Sequence, residues 1–82
     1  MKSVFVLQHV HVISDAREDV KLIGVYRSLE AAHAAINRLN NQPGFAEHRR
    51  LVDPLSDVDA NGFYIDEYAL DKDHWSEGFV TV

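Results

Sequence analysis

The sequence predicts a single α+β domain in the order β-β-α-β-β, with one helix on one face of a mostly antiparallel four-stranded sheet. Three observations support this fold class. Segments near both ends of the chain are rich in β-branched and aromatic residues, as strands are. Within residues 21–39, KLIGVYRSLEAAHAAINRL, the hydrophobic period changes from two to about 3.6. The chain has 82 residues, which suits one domain spanning residues 1–82.

The first two predicted strands form a hairpin. Residues 3–13 alternate, and both sets of alternate positions are apolar near the start, so we expect this strand in the middle of the sheet. Residues 14–19, SDARED, form a polar connector, and residues 20–26 form the second strand. The short connection predicts antiparallel pairing.

The predicted helix runs from about Leu29 to Asn41. Ser28 is the expected N-cap, because its hydroxyl can accept a bond from an N–H group of the first turn. Pro43 cannot continue a helix, so the helix ends before it. An apolar stripe at spacings of three and four should face the sheet; it consists of Leu29, Ala32, Ile36 and Leu39.

The second half of the chain contains less regular structure. Residues 46–62 have no clear period and predict a long irregular loop with at most one short turn of helix. Residues 63–70 predict a third strand, residues 71–74 a turn, and residues 78–82 a short last strand.

Several short motifs follow this order of elements: LIGVY, AI-RL and PGF, and then IDEY, LD, DHW and EGF. In these motifs the chain resembles a family of small uncharacterised bacterial domains, from Val4 to Phe79. The resemblance implies a bacterial or phage origin and a compact α+β domain. It transfers no catalytic residues, because the family has no established reaction. The segment from Arg49 to Asp59 is longer than the family's usual linker.

Composition excludes several functional classes. Thirteen acidic and eight basic residues give a net charge of −5, which argues against nucleic-acid binding and is compatible with a basic protein partner. No cysteine is present, so disulfides and thiolate zinc sites are excluded. No segment has the roughly 20 apolar residues of a membrane span. Gln8, His9 and His11 interrupt the apolar N-terminal run, which is unlike a signal peptide, and we expect a cytoplasmic protein.

His9 and His11 are the weak metal-ligand candidates. Two residues apart on a strand, their imidazoles project from the same face, as some zinc ligands do. A site would need a third ligand, for which His48, Asp66 or His74 are available, although no spacing requires one of them. Hydrogen-bonded histidines without a metal are the simpler interpretation, and we expect no bound metal or cofactor.

The remaining polar clusters do not predict catalysis. Asp66 and Glu67 should face opposite sides of a strand and cannot act as a pair, whereas Asp71 and Asp73 suit a turn. Residues 48–50, His-Arg-Arg, read as a solvated run of charge in a loop. With no nucleophile elbow or phosphate-binding loop in the sequence, we expect a protein that is not an enzyme.

The aromatic residues are the more informative group. Phe63 and Phe79 suit the core, whereas exposed aromatics are typical of interfaces. One helix covers one face of a sheet, so the other face must be polar or covered by a partner. We therefore expect a non-enzymatic protein-binding module, of immunity or accessory type or, most simply, a homodimer. The alternative is a small metal- or ligand-binding protein that uses His9 and His11. The expected interface residues are Tyr26, Tyr64, Tyr68 and Trp75, with Leu70 nearby.

Overall fold

The computed structural model describes residues 2–73, which form three strands and one helix. The sheet is antiparallel with the order β2-β1-β3, so the first strand is central, as its two apolar faces predicted. The α+β class is confirmed, but the described part shows three strands instead of four. The expected last strand, residues 78–82, lies outside it. The elements are β1 (Ser3–Ser14), β2 (Arg17–Tyr26), α1 (Leu29–Leu39) and β3 (Gly62–Ala69).

The hairpin of β1 and β2 is longer than the sequence predicted. Strand β2 begins at Arg17 instead of Val20, and Ser14 pairs directly with Arg17. The charged residues of the expected connector are therefore mostly inside the strand, where their side chains stay exposed while their backbone groups pair with β1. The register shifts twice, once beside Ile13 and once beside Ile23, and each shift marks one extra residue in its strand.

Helix α1 begins where its cap predicts. The Ser28 hydroxyl accepts the N–H of Ala31 at 3.1 Å, and Glu30 places a negative charge in the first turn. The helix ends at Leu39, two residues before the expected end, and the N–H of Asn40 closes the last turn on the Ile36 carbonyl at 2.8 Å. No helix within residues 2–73 is long and apolar enough to cross a membrane.

The core lies between α1 and the sheet. Leu7 of β1 and Phe63 of β3 are fully buried, and Ala35 and Ile36 pack on them from the helix. The expected placement of Phe63 in the core is thus confirmed. Leu29, by contrast, remains 47% exposed although it belongs to the predicted stripe. Partly buried side chains surround this cluster, namely Ile23, Tyr26, Phe45 and Ile65.

The expected irregular loop contains a stretch that pairs with the sheet. The N–H of Val52 donates to the Phe63 carbonyl at 2.8 Å, and the N–H of Phe63 donates to the Arg50 carbonyl at 2.9 Å. Leu51 accordingly forms a parallel bridge with Phe63, and Val52 is buried. Residues 50–52 therefore extend the outer edge of β3, a long-range contact that the local sequence did not predict.

Candidate interaction surface

The face of the sheet opposite α1, here called the open face, is largely apolar. Its members follow from the register, because residues directly opposite each other on paired strands point to the same side. The central strand contributes four valines and one glutamine to it, with no charged residue. The open face consists of Val4, Val6, Gln8, Val10 and Val12 of β1, Glu18, Val20, Leu22 and Val25 of β2, and Tyr64, Asp66 and Tyr68 of β3.

The aliphatic residues of β2 are the most exposed apolar groups of this face. Leu22 is 64% exposed, Val25 57% and Val20 46%. The valines of β1 near its start are half-buried between the two outer strands. The sequence predicted an apolar second face, but the expected interface residues were aromatic and did not include the aliphatic residues of β2. The sequence did contain a signal for this: apolar residues of β2 occupy both odd and even positions, so both faces of the strand carry apolar side chains.

Two of the four expected interface residues lie on the open face. Tyr64 is half-buried there, and its hydroxyl donates to the Ala60 carbonyl at 2.7 Å, while burial raises its pKa above 10.0. Tyr68 is 42% exposed on the same face. Trp75 lies outside the described residues, so its placement stays a prediction.

Tyr26 lies on the opposite side of the sheet from the one that was expected. It pairs with Phe5 and packs against the core beneath the helix. The cause is the extra residue in β2: Gly24 is opposite Leu7, whereas Leu22 is opposite Gln8. A one-residue bulge reverses the alternation, so residues of the same parity before and after it face opposite sides.

His9 is buried completely beneath the helix side of the sheet. Its ring centroid lies 4.8 Å from those of both Phe45 and Phe63, in edge-on arrangements. Its Nε2–H donates to the His48 carbonyl at 3.0 Å, because a carbonyl oxygen can only accept. The described part of the chain provides no hydrogen-bond partner for Nδ1. His9 therefore joins the central strand to the loop through an aromatic cluster.

Burial and the neighbouring basic side chains favour the neutral form of His9. Burial lowers the pKa of His9 below 6.5, and the charges of Lys21, His48 and His11 lower it further, while the bond to the His48 carbonyl opposes them. His11 lies on the same face, as expected, with its ring centroid 5.1 Å from that of His48. Within residues 2–73, however, no three His, Asp or Glu side chains are grouped so that they could hold a metal ion.

Residues 2–79 match the family described as "Domain of unknown function (DUF7336)". The chain belongs to this family. Membership confirms the expected relationship to an uncharacterised domain family, while the motif pattern and bacterial origin stay predictions. No curated protein and no solved structure matches the chain. The DUF7336 match assigns no chemistry to the polar groups of the chain.

The carboxylates of β3 are separated as the sequence predicted. Asp66 pairs with Val6 on the open face, and Glu67 pairs with Phe5 on the helix side. The two carboxylates of this DUF7336 chain therefore have the sheet between them. Asp71 follows β3 in a left-handed conformation, with φ of 56°, which suits the expected turn. His74 lies outside the described residues.

The basic cluster makes local contacts within the loop. Arg49 donates from Nε to the Ala46 carbonyl at 2.9 Å. Arg50 lies between two carboxylates, with Nη1 3.3 Å from Asp57 and Nη2 3.8 Å from Asp59. These ion pairs are partly exposed and contribute little stability, but they neutralise the charge of Arg50. The geometry gives Arg50 a role in holding the loop together.

Proposed function

We propose that this protein is a non-enzymatic protein-binding module whose open face binds a second copy of the same chain. The observation that carries the proposal is the exposure of Val20, Leu22 and Val25 side by side on one sheet face. Contiguous apolar surface of this kind is typical of interaction sites. Tyr68 adds an aromatic group to the same face, and aromatic groups are enriched in interfaces.

Covering the open face is energetically favourable. Each Å² of apolar surface removed from water stabilises the complex by roughly 25 cal/mol. A domain of this size has a free energy of unfolding of about 5–10 kcal/mol, so burying several aliphatic side chains is a large contribution. The helix cannot supply this cover, because α1 packs on the opposite side of β1 and β2.

A second copy suits the shape and charge of the face. The central strand carries no charge there, and the acidic residues Glu18 and Asp66 lie on the outer strands. Two such faces can therefore meet without bringing like charges to the centre of the interface. Three strands about 4.8 Å apart, with an average length of about ten residues, give the open face of one copy an area of roughly 500 Å². Two copies thus bury about 1,000 Å², which meets the lower limit of a specific interface.

The polar groups that the sequence analysis weighed for chemistry do not converge on one site. His9 is enclosed between two phenylalanines, and its Nε2–H is bonded to a backbone carbonyl. Asp66 and Glu67 lie on opposite faces, and Arg50 is paired with carboxylates of its own loop. A catalytic site needs such groups to converge in one pocket.

Dilution of isotope-labelled protein tests the proposal. Between about 1 mM and about 10 μM, a dimer of ordinary affinity changes its population, and the amide shifts of interface residues change with it. We expect concentration-dependent shifts at Val6, Leu22 and Val25, and constant shifts at Ala35 on the far side of the sheet. Concentration-dependent shifts on the helix side alone would contradict the proposed surface. A hetero-complex with a basic partner would instead leave all these shifts constant.

A further inference from the structure

A groove opens on the helix side of the molecule, where α1 packs mainly over β1 and β2 and covers less of β3. The helix packs over β1 and β2, while residues 50–52 pair with the outer edge of β3. The space between the first turn of α1 and the loop has a volume of about 460 Å³. Its volume is in the range of small-molecule sites, which is about 300–1,000 Å³.

The groove combines apolar surfaces with two carboxylates. Phe5 and Ile65 belong to the sheet beneath it, and Leu29 and Leu51 line it from the helix and the loop. These two leucines are 47% and 41% exposed, which leaves their apolar surface available to a ligand. Asp53 and Glu67 also line the groove. None of the described residues that line the groove is a lysine or an arginine. Apart from the two carboxylates, the polar side chain among them is that of His33, on α1.

One carboxylate of the groove is held in place and ionised. Asp53 accepts the N–H of Leu55 at 3.0 Å and the hydroxyl of Ser56 at 2.8 Å. Both bonds lower the pKa of Asp53 below 3.8, and the bond from the Leu55 N–H has the larger effect. Glu67 extends from β3 on the helix side, next to Phe5 across the strands. The groove therefore offers negative charge beside an apolar surface.

We infer that this groove binds a small organic cation, with an ammonium group near Asp53 and Glu67 and an apolar body against Phe5 and Ile65. Charge complementarity selects the cation, since both charged groups are carboxylates. The apolar body fills the space between Leu29 and Leu51, whose side chains are partly exposed. The site is separate from the open face, because Glu67 and Leu22 lie on opposite sides of the sheet.

Tryptamine is a suitable probe, and indole-3-propionate is its anionic counterpart of similar size and shape. The experiment is an NMR titration of the isotope-labelled full chain. For a ligand of this size in an open groove we expect a dissociation constant of the order of 1 mM. Saturable shifts should appear at Phe5, Leu29, Val52 and Ile65. The anion should bind at least about fivefold more weakly, because it meets like charge.

Two charge variants separate the groove from general attraction to an acidic protein. Glu67→Gln should weaken tryptamine binding about two- to fivefold, which is the effect of one exposed charge pair. Asp66→Asn removes the same charge one residue away on the open face and should leave the affinity unchanged. Equal effects of the two variants would overturn the inference, as would equal binding of cation and anion.

Two further outcomes decide what occupies the groove. Absence of saturable shifts with tryptamine up to about 10 mM, well above the expected constant, overturns the inference. If Trp75→Ala moves the groove amides and creates tryptamine binding that the wild type lacks, the chain's own C-terminal segment occupies the groove. That result also overturns it. Leu22→Lys on the open face should leave tryptamine binding intact, so failure of the dimer and failure of this site are distinguishable.

Discussion

The carbonyl oxygen of Arg50 lies 2.5 Å from the point that a Cβ atom on Gly62 would occupy. The same carbonyl accepts the N–H of Phe63 at 2.9 Å, so this close approach is part of the pairing between loop and sheet. Gly62 also has φ of +141°, a conformation that side chains rarely adopt. Glycine at this position therefore allows residues 50–52 to join the edge of β3.

Substitution of this glycine should loosen the loop from the sheet. We expect Gly62→Ala to lower the free energy of unfolding by about 2–4 kcal/mol, through backbone strain and the clash with Arg50 together. Gly44→Ala is the matched control, since Gly44 has φ of +98° and nothing within 4 Å of its added Cβ. Gly44→Ala should lower the free energy of unfolding only by its backbone strain, about 1 kcal/mol. Urea unfolding measures both, and equal losses would contradict the proposed role of Arg50.

Placement of a charge in the core tests the packing of α1 on the sheet. Ile36 is buried against the core cluster, so Ile36→Asp buries an unpaired carboxylate and should cost about 3–5 kcal/mol. Asn37→Asp places the same side chain on the exposed side of the same helix and should cost less than about 0.5 kcal/mol. The measurement is the thermal midpoint of each variant. An unchanged midpoint for Ile36→Asp would refute the packing of α1 on the sheet.

Acidification should destabilise the protein through His9. Its pKa is below 6.5 in the folded state because burial disfavours the charged ring, so the unfolded chain binds the proton more readily. The stabilising contribution is therefore complete above about pH 6.5 and is lost as the pH falls through the folded-state pKa. The free energy of unfolding can change by at most about 1.4 kcal/mol per pH unit through His9, because one group binds one proton.

Glutamine variants isolate this contribution. His9→Gln cannot titrate, so its stability should depend less on pH between about 6.5 and 5 than that of the wild type. His33→Gln removes an exposed histidine of α1 and should retain the wild-type slope. The aspartates with lowered pKa, which lose their contribution only below about pH 4, do not interfere; they are Asp19, Asp53 and Asp59. Identical slopes for all three proteins would contradict the account of His9.

Tight binding of a transition metal is not expected. A metal on Nε2 of His9 would replace the bond to the His48 carbonyl, and the ring is enclosed by Phe45 and Phe63. Calorimetric titration with zinc should show no saturable submicromolar binding in the wild type. The double variant His9→Ala/His11→Ala serves as the control. Submicromolar binding that disappears in this variant would establish the alternative function.

The features that the sequence predicted correctly depend on local physics. The alternation of β1 follows from the two-residue period of a strand, and the N-cap at Ser28 from a single hydroxyl close to the orphan N–H groups. The burial of Phe63 follows from its size and its place in an apolar strand. Each of these needs only a few neighbouring residues.

The features that it missed depend on partners distant in the chain. The bulge beside Ile23, which moves Tyr26 under the helix, is a property of the pairing with β1 and has no local marker. Leu51 and Val52 are two apolar residues among charged ones, and only their pairing with Phe63 makes them part of the sheet. The groove exists because of that pairing, so the sequence did not predict it either.

The open face offers a clean pair of variants for testing self-association. Leu22→Lys places a charge at the most exposed aliphatic position of β2, where a monomer would tolerate it but a dimer interface would not. Leu55→Lys makes the same substitution in the loop, at a leucine that is 96% exposed and outside the open face. The two variants have the same change in charge and composition.

Sedimentation equilibrium of the wild type and these two variants tests the central claim most directly. At protein concentrations of about 10–100 μM, an interface near the lower size limit should still be populated. We expect the average mass of the wild type and of Leu55→Lys to rise with concentration from the chain mass of 9.3 kDa towards twice that mass, and Leu22→Lys to stay at 9.3 kDa. A wild type that remains a 9.3 kDa monomer at every concentration would contradict the claim that the open face binds a second copy.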